Sequence, residues 1–187
     1  MKKFVLLVLL CTAAGFAVSI TSLARSKPDH SLRVVIIRHG EKPETGDNLS
    51  CQGQNRALQL PEVLFQKFNK PDLIYVPTIG MGKSSTHARM FETIVPFAVK
   101  YDRSINSEFQ VNAYDQIADR VLGKTGTVLM VWQHDAIPAL AASLGVAKPP
   151  KWKDKDFDSI WIITFAGGKA ALAIDHEALN PSASCKF

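Results

Sequence analysis

The 187-residue sequence has few of the features that mark several large classes of protein. It contains only three cysteines. It also shows no low-complexity tract and no internal repeat, and the lack of a repeat argues against a repeat architecture. No arginine-rich tract occurs, and basic and aromatic residues do not alternate. The formal net charge is only +5, and so small an excess of basic residues does not indicate a nucleic-acid-binding surface.

Long apolar runs are scarce too, and the longest opens the chain. Lys2 and Lys3 precede the uncharged, mostly apolar residues 4–18, and Ser22-Leu23-Ala24 places small residues at the two positions that a signal peptidase reads. This pattern predicts a secretory signal peptide, residues 1–24, cleaved after Ala24, and hence a periplasmic or secreted protein. A retained membrane anchor is the alternative, because residues 4–24 are just long enough to span a bilayer.

Residues 25–187 suffice for a single domain with one hydrophobic core. The signal peptide carries two of the 22 basic residues and none of the 17 acidic ones, so the mature chain has a formal charge of +3. Such a mildly basic chain suits a small anionic ligand. Cys51 and Cys185 are the cysteines that remain. In an oxidising compartment they can form a disulfide, and two free thiols are the alternative.

Short apolar, β-branched runs alternate with segments of helical spacing along most of the chain. Strands are predicted at residues 34–37, 73–76, 127–132, 159–165 and 169–174, with a short extended piece at 105–111. Helices are predicted at residues 49–68, 86–101, 114–122 and 137–144. The alternation predicts an α/β fold, a three-layer α/β/α sandwich with a mainly parallel central sheet, to which a final hairpin can add an antiparallel edge strand.

Polar residues whose side chains can take part in catalysis or binding cluster where predicted strands end. Arg38 and His39 come directly after the first strand, and His134 and Asp135 come directly after the strand 127–132. Arg89 lies in the first turns of the helix that follows the second strand. Ligands of open α/β sheets bind beyond the carboxyl ends of the strands. These side chains are therefore expected together at the edge of the sheet formed by those strand ends, here called the rim.

These residue types together suit phosphoryl transfer. A neutral imidazole can attack phosphorus and hold the phosphoryl group covalently. Two guanidinium groups match phosphate oxygens as fork-shaped donors, and a protonated second histidine adds another donor. Fixed positive charge of this kind supplies most of the stabilisation in phosphoryl transfer, and a group that protonates the leaving oxygen completes the set.

Four segments resemble, in the same order, the motifs of the histidine phosphatase superfamily, which has the phosphoglycerate-mutase-like fold. Arg38-His39-Gly40 matches the Arg-His-Gly (RHG) motif, and residues 47–57 resemble the leucine–hydroxyl–glycine–alanine segment that follows it. Arg89–Thr93 resembles the stretch that bears the second arginine, and residues 128–134 resemble the strand that delivers the second histidine. The resemblance spans residues 34–145, and the short chain looks most like branch 1.

The resemblance implies a phosphohistidine on His39, formed without a metal or other cofactor, in a phosphate pocket of His39, Arg38, Arg89 and His134. It leaves the proton donor open. Asp135 matches the His-Asp pair of the acid-phosphatase branch and is favoured over Glu108, which lies where branch 1 carries its acid in a poorly matching stretch. A donor supplied by the substrate or by water is a further alternative.

The expected function is therefore that of an exported phosphatase, a phosphoric monoester hydrolase. Its partner would be a small phosphorylated substrate or a phosphorylated envelope component. No nucleic acid is expected, and no membrane span if the signal peptide is removed. The alternative is a phospho-ligand-binding protein of the same fold with little or no catalysis. A mutase is disfavoured, because its substrates are cytoplasmic metabolites.

Overall fold

The computed structural model describes residues 32–80 and 85–186. The predicted signal peptide, and with it the choice between cleavage and anchoring, lies outside the described residues. None of the helices in those two ranges is long and apolar enough to cross a membrane.

Every predicted strand and helix is present, with ends shifted by at most two residues. The strands are β1 Arg33–Arg38, β2 Leu73–Pro77, β3 Ile105–Phe109, β4 Thr127–Trp132, β5 Ser159–Ala166 and β6 Lys169–His176. The helices are α1 Cys51–Phe68, α2 Ala88–Tyr101, α3 Tyr114–Leu122 and α4 Ile137–Ser143.

The six strands form one mixed sheet in the order β3-β2-β4-β1-β5-β6. The pairs β3·β2, β2·β4 and β4·β1 are parallel, whereas β5 is antiparallel to β1 and β6 is antiparallel to β5. The prediction of a mainly parallel sheet is therefore wrong. The sheet is mixed because the final hairpin adds two antiparallel pairs, β5 with β1 and β6 with β5. Its turn places Gly167 and Gly168 at positive φ and joins the two longest strands, each of eight residues.

Helices cover both faces of the sheet and give three layers. Along β1, Val35 and Ile37 point into the core that α1 and α2 close, while Val34 and Ile36 point into the core that α3 and α4 close. Successive strand residues face opposite sides, so a strand covered on both faces is apolar throughout. Burial on both sides fixes the ends of β1 and β4, and these ends carry the candidate site.

The start of α1 packs directly against the chain that leaves β1. Ser50 caps the helix by accepting a hydrogen bond from the Gly53 amide at 3.2 Å, and its hydroxyl also donates to the Glu41 carbonyl at 3.1 Å. A Cβ atom on Gly53 would lie 2.2 Å from that same carbonyl. Only glycine therefore permits this approach, and the helix then runs unbroken through Pro61.

A disulfide ties the C-terminal tail to the same helix. Cys51 opens α1, and its Cα atom lies 4.9 Å from that of Cys185 in the disulfide. The Asn55 side chain, one turn further along, donates to the carbonyls of Ser182 and Ser184, both at 2.8 Å. The pairing predicted for the two cysteines is thus confirmed.

Candidate active site

His39 stands at the end of β1 with one ring nitrogen occupied and the other free. Its backbone amide donates to the Trp132 carbonyl at 3.2 Å, so the extension of β1 is held against β4. The ring Nδ1 lies 2.7 Å from the Gly40 carbonyl. Because a carbonyl oxygen only accepts, Nδ1 carries the proton and Nε2 keeps its lone pair.

The environment of His39 favours the neutral imidazole. The side chain is buried, and burial lowers its pKa from 6.5 to about 4, although the hydrogen bond to Gly40 acts in the opposite direction. Arg38, Arg89 and His134 lower the pKa further, because each is or can become positively charged. At neutral pH the ring is therefore a neutral imidazole with a defined tautomer.

Arg38 is buried at the same strand end without a carboxylate bonded to it. Its Nη1 donates to the Asp154 carbonyl at 2.6 Å and to the Asp156 carbonyl at 3.2 Å, and its Cζ lies 3.8 Å from the centroid of the Phe157 ring. Burial lowers its pKa to about 10. Its Nε is buried with no hydrogen-bond partner, so one donor of the guanidinium remains for a ligand.

Arg89 reaches the site from α2 and is coupled to the His39 segment by Thr93. The Thr93 hydroxyl donates to the Arg89 carbonyl at 2.7 Å and accepts from the Gly40 amide at 2.9 Å. The guanidinium donates to the Gly46 carbonyl at 3.0 Å. One buried hydroxyl therefore connects the backbones that carry the first histidine and the second arginine.

His134 completes the group from the loop after β4. It is partly buried, and burial together with the Arg38 charge lowers its pKa. Its Nε2 lies 3.6 Å from Oδ1 of Asp154, and its Nδ1 is buried with no hydrogen-bond partner. Neither ring nitrogen forms a hydrogen bond with the described residues, so both remain available to a ligand.

The four predicted pocket residues lie close enough for Arg38, Arg89 and His134 each to influence the protonation of His39. Among the residues that the structure describes, neither Arg38 nor Arg89 forms an ion pair with a carboxylate. The rim thus holds positive charge that no bonded protein carboxylate neutralises. Such a site can bind an anion with several oxygens.

The two candidate proton donors occupy different surroundings. Asp135 is exposed and accepts a hydrogen bond from the side-chain amide of Gln133 at 3.0 Å. It lies close enough to His134 and Arg38 to raise their pKa values. Helix α4 has Ala136 at its N-cap, so Asp135 does not serve as the cap. Glu108, on the edge strand β3, is exposed and accepts from Arg120 at 3.1 Å.

A buried ion network behind the rim was not predicted. Arg56 of α1 donates to both Glu41 oxygens at 2.8 to 3.1 Å and also to Glu177, which follows β6. Arg56 and Glu177 are 121 residues apart, and no local pattern relates them.

Metal-binding side chains do not gather in the described ranges. No group of three or more His, Cys, Asp or Glu residues there is arranged to hold a metal ion. The positive charge at the rim at neutral pH comes from the guanidinium groups of Arg38 and Arg89.

At the level of sequence, no family model and no curated protein matches the chain. Solved structures do. A mycobacterial glucosyl-3-phosphoglycerate phosphatase with inorganic phosphate aligns at 16% identity and a TM-score of 0.55, covering 81% of this chain and 98% of that one. The protein histidine phosphatase SixA with tungstate aligns at 14% identity and a TM-score of 0.55, covering 78% and 97%.

A mutant phosphoserine phosphatase from Entamoeba histolytica, in complex with phosphoserine, aligns at 13% identity with a TM-score of 0.51. The alignment covers 79% of this chain and 97% of that one. These similarities show that the chain has the phosphoglycerate-mutase-like fold of the histidine phosphatases, as the motifs predicted. At such low identity they show the fold alone.

Proposed function

We propose that the protein is an exported phosphatase of the histidine phosphatase superfamily, which hydrolyses a phosphate monoester through a phosphohistidine on His39 without a metal. The observation that carries the proposal is the pairing of a buried, neutral imidazole with a buried arginine to which no carboxylate of the described residues is bonded. His39 keeps a free Nε2, and Arg38 keeps an unpartnered Nε. Nucleophile and anion-binding charge therefore occupy one strand end.

In the first step the Nε2 lone pair attacks phosphorus and an N–P bond forms. The bond from phosphorus to the ester oxygen breaks, and its electron pair leaves with that oxygen, which takes up a proton. Arg38, Arg89 and His134 bind the remaining phosphoryl oxygens and stabilise their charge in the transition state. The hydrogen bond from Nδ1 to Gly40 holds the ring in the attacking tautomer throughout.

In the second step water attacks phosphorus from the side that the alcohol has left. The N–P bond breaks, its electron pair returns to Nε2, and the proton released by water passes to a base. Inorganic phosphate leaves and His39 is restored. Asp135 is the favoured group for both proton transfers, because it lies beside His134 at the rim, whereas Glu108 is engaged by Arg120.

The substrate is proposed to be a small phosphorylated molecule or a phosphorylated envelope component. Its support is the mildly basic mature chain and the nature of the similar structures, which hold inorganic phosphate, tungstate or phosphoserine. Export is supported by the signal-peptide pattern of residues 1–24 and by the disulfide between Cys51 and Cys185, since disulfides persist in oxidising compartments.

The decisive experiment is to trap the phosphorylated intermediate. The protein is mixed with an activated aryl phosphate, quenched within the first turnovers and mapped by mass spectrometry, with His39→Ala as the control. A phosphoryl group on His39 is expected, together with turnover that chelators do not reduce. Turnover that requires a metal, or that survives His39→Ala unchanged, would falsify the proposal.

The identity of the donor can be tested with substrates of different leaving-group pKa. Asp135→Asn is expected to slow alkyl phosphates by about 10²- to 10⁴-fold and aryl phosphates much less, because a good leaving group needs little protonation. Glu108→Gln is the matched control and should affect both classes equally little. The reverse result would transfer the donor role to Glu108.

A phospho-ligand-binding protein is the second candidate function. The exposure of Asp135, which is bonded only to Gln133 among the described residues, favours it, since a weakly placed acid gives slow turnover. Phosphate binding without turnover of a broad panel of esters, between about pH 4 and pH 8, would establish this function instead of the first.

A further inference from the structure

The segment from Asp154 to Phe157, which precedes β5, contacts three of the four pocket side chains. Its carbonyls at Asp154 and Asp156 bind the Arg38 guanidinium, and the Asp154 carboxylate lies 3.6 Å from Nε2 of His134. The Phe157 ring also contacts both residues at the end of β1, Arg38 and His39. Its centroid is 3.8 Å from Cζ of Arg38 and 6.2 Å from the His39 ring, with the two rings at 64°.

We propose that Phe157 is a positioning residue, whose ring holds the Arg38 guanidinium in the orientation that binds phosphate and shields the His39 imidazole from water. The proposal rests on the proposed function of the site. Phe157 itself is not expected to bond to substrate, because an apolar ring offers no donor to phosphate oxygens. It acts through the two side chains that it covers.

The contact with Arg38 fixes orientation without neutralising charge. A ring stacked on a guanidinium attracts the cation through its π face and leaves the donors at the edge of the plane free. The carbonyls of Asp154 and Asp156 occupy Nη1, and Nε has no partner. With one face covered and Nη1 bonded, Nε is a donor that remains for a phosphate oxygen. A carboxylate in the place of the ring would compete with the substrate phosphate.

The contact with His39 excludes water from one side of the imidazole. The groups that face this ring from its surroundings are Arg38 on β1, Arg89 on α2 and His134 after β4, and all of them oppose its protonation. Burial is nevertheless the largest cause of its lowered pKa. Removing the ring of Phe157 should therefore admit water and make His39 easier to protonate.

The test compares three variants of the full chain, with readouts that do not depend on turnover. Phe157→Leu removes the aromatic face, and Phe157→Tyr retains it. Phe165→Leu is the matched control, because Phe165 lies on β5 and packs against the core on the α3 and α4 face. Calorimetry measures the affinity for inorganic phosphate, and proton NMR follows the titration of the His39 ring.

Phe157→Leu is expected to weaken phosphate binding about tenfold and to move the His39 titration towards the range of an ordinary histidine. Phe157→Tyr and Phe165→Leu should leave both quantities unchanged. If Phe157→Leu unfolds at the same temperature as Phe165→Leu and alters neither readout, the positioning role is wrong. If the unaltered protein binds no phosphate, the proposed function fails, and the His39 titration alone decides the role of Phe157.

Discussion

Two arginines are buried to almost the same degree in this molecule and have opposite surroundings. Arg38 is 3% exposed and Arg56 is 4% exposed. Arg56 lies between the carboxylates of Glu41 and Glu177, and its pKa is raised. Arg38 touches two main-chain carbonyls and an aromatic ring, and burial lowers its pKa to about 10.

The difference separates scaffold from candidate binding site. A buried guanidinium is costly unless it is paired, so a chain that leaves one unpaired keeps its charge available for an external anion. Arg56 instead connects three parts of the chain through Glu41 after β1, its own helix α1 and Glu177 after β6. Changing each arginine should therefore affect different properties.

Arg56→Met should produce the largest loss of stability. It leaves the side chains of Glu41 and Glu177 without the cation that they share, and breaking a buried pair in this way costs about 3–5 kcal/mol. Urea unfolding at neutral pH measures the effect. Arg120→Met is the control, because its ion pair with Glu108 is exposed and should contribute at most about 1 kcal/mol. Equal losses in the two variants would remove the distinction between network and surface pair.

Arg38→Met should produce the opposite pattern, with activity lost and stability kept. Removing one charge-stabilising donor from the transition state lowers kcat/KM by about 10²- to 10³-fold. The free energy of unfolding should stay the same or rise, because a desolvated charge disappears. Enzyme assay and urea unfolding on the same preparation check both parts. A destabilisation as large as that of Arg56→Met would show that Arg38 is also scaffold.

Sequence patterns revealed Arg38 but could not reveal what distinguishes it from Arg56. Arg38, His39 and His134 each follow a continuous apolar run, and such runs mark buried strands whose ends form ligand sites. These are local patterns, and they placed every strand and helix. The partners of Arg38 are 116 and 118 residues away, in a loop without periodicity, so nothing near either end predicts the contact.

The direction of β5 was beyond sequence reasoning for a similar reason. Its apolar run fits a buried strand of either direction, and the direction is set by pairing with β1 after the chain has crossed the fold. Thr93 lies between the residues that local patterns reveal and the contacts that they do not. It belongs to a recognisable stretch after Arg89, but its bond to the Gly40 amide spans 53 residues. Motifs therefore identified the candidate site residues, while the contacts that hold them required the tertiary structure.

The candidate site and the buried ion network should also respond differently to pH. The pKa of His39 falls from 6.5 to about 4 on folding, so the unfolded chain binds more protons between these values. The stability that His39 contributes is present above pH 6.5 and is lost as pH falls towards 4, by about 2 kcal/mol between pH 7 and pH 5. Thermal unfolding across this window, with His39→Gln as control, should show a steeper fall for the unaltered protein. Parallel profiles would contradict a buried neutral imidazole.

Behind the rim, Glu177 should act in the reverse direction. One arginine cannot neutralise two carboxylates, and burial raises the pKa of Glu177 from 4.5 to about 8, so the folded chain binds the extra proton. Its contribution to stability is present below pH 4.5 and is lost as pH rises towards 8. Glu177→Gln should remove this decline between pH 5 and pH 8 while leaving the acid-side fall due to His39 in place. If Glu177→Gln instead changed the acid-side fall, the two regions would titrate as one coupled system, and the separation of binding site from scaffold would not hold.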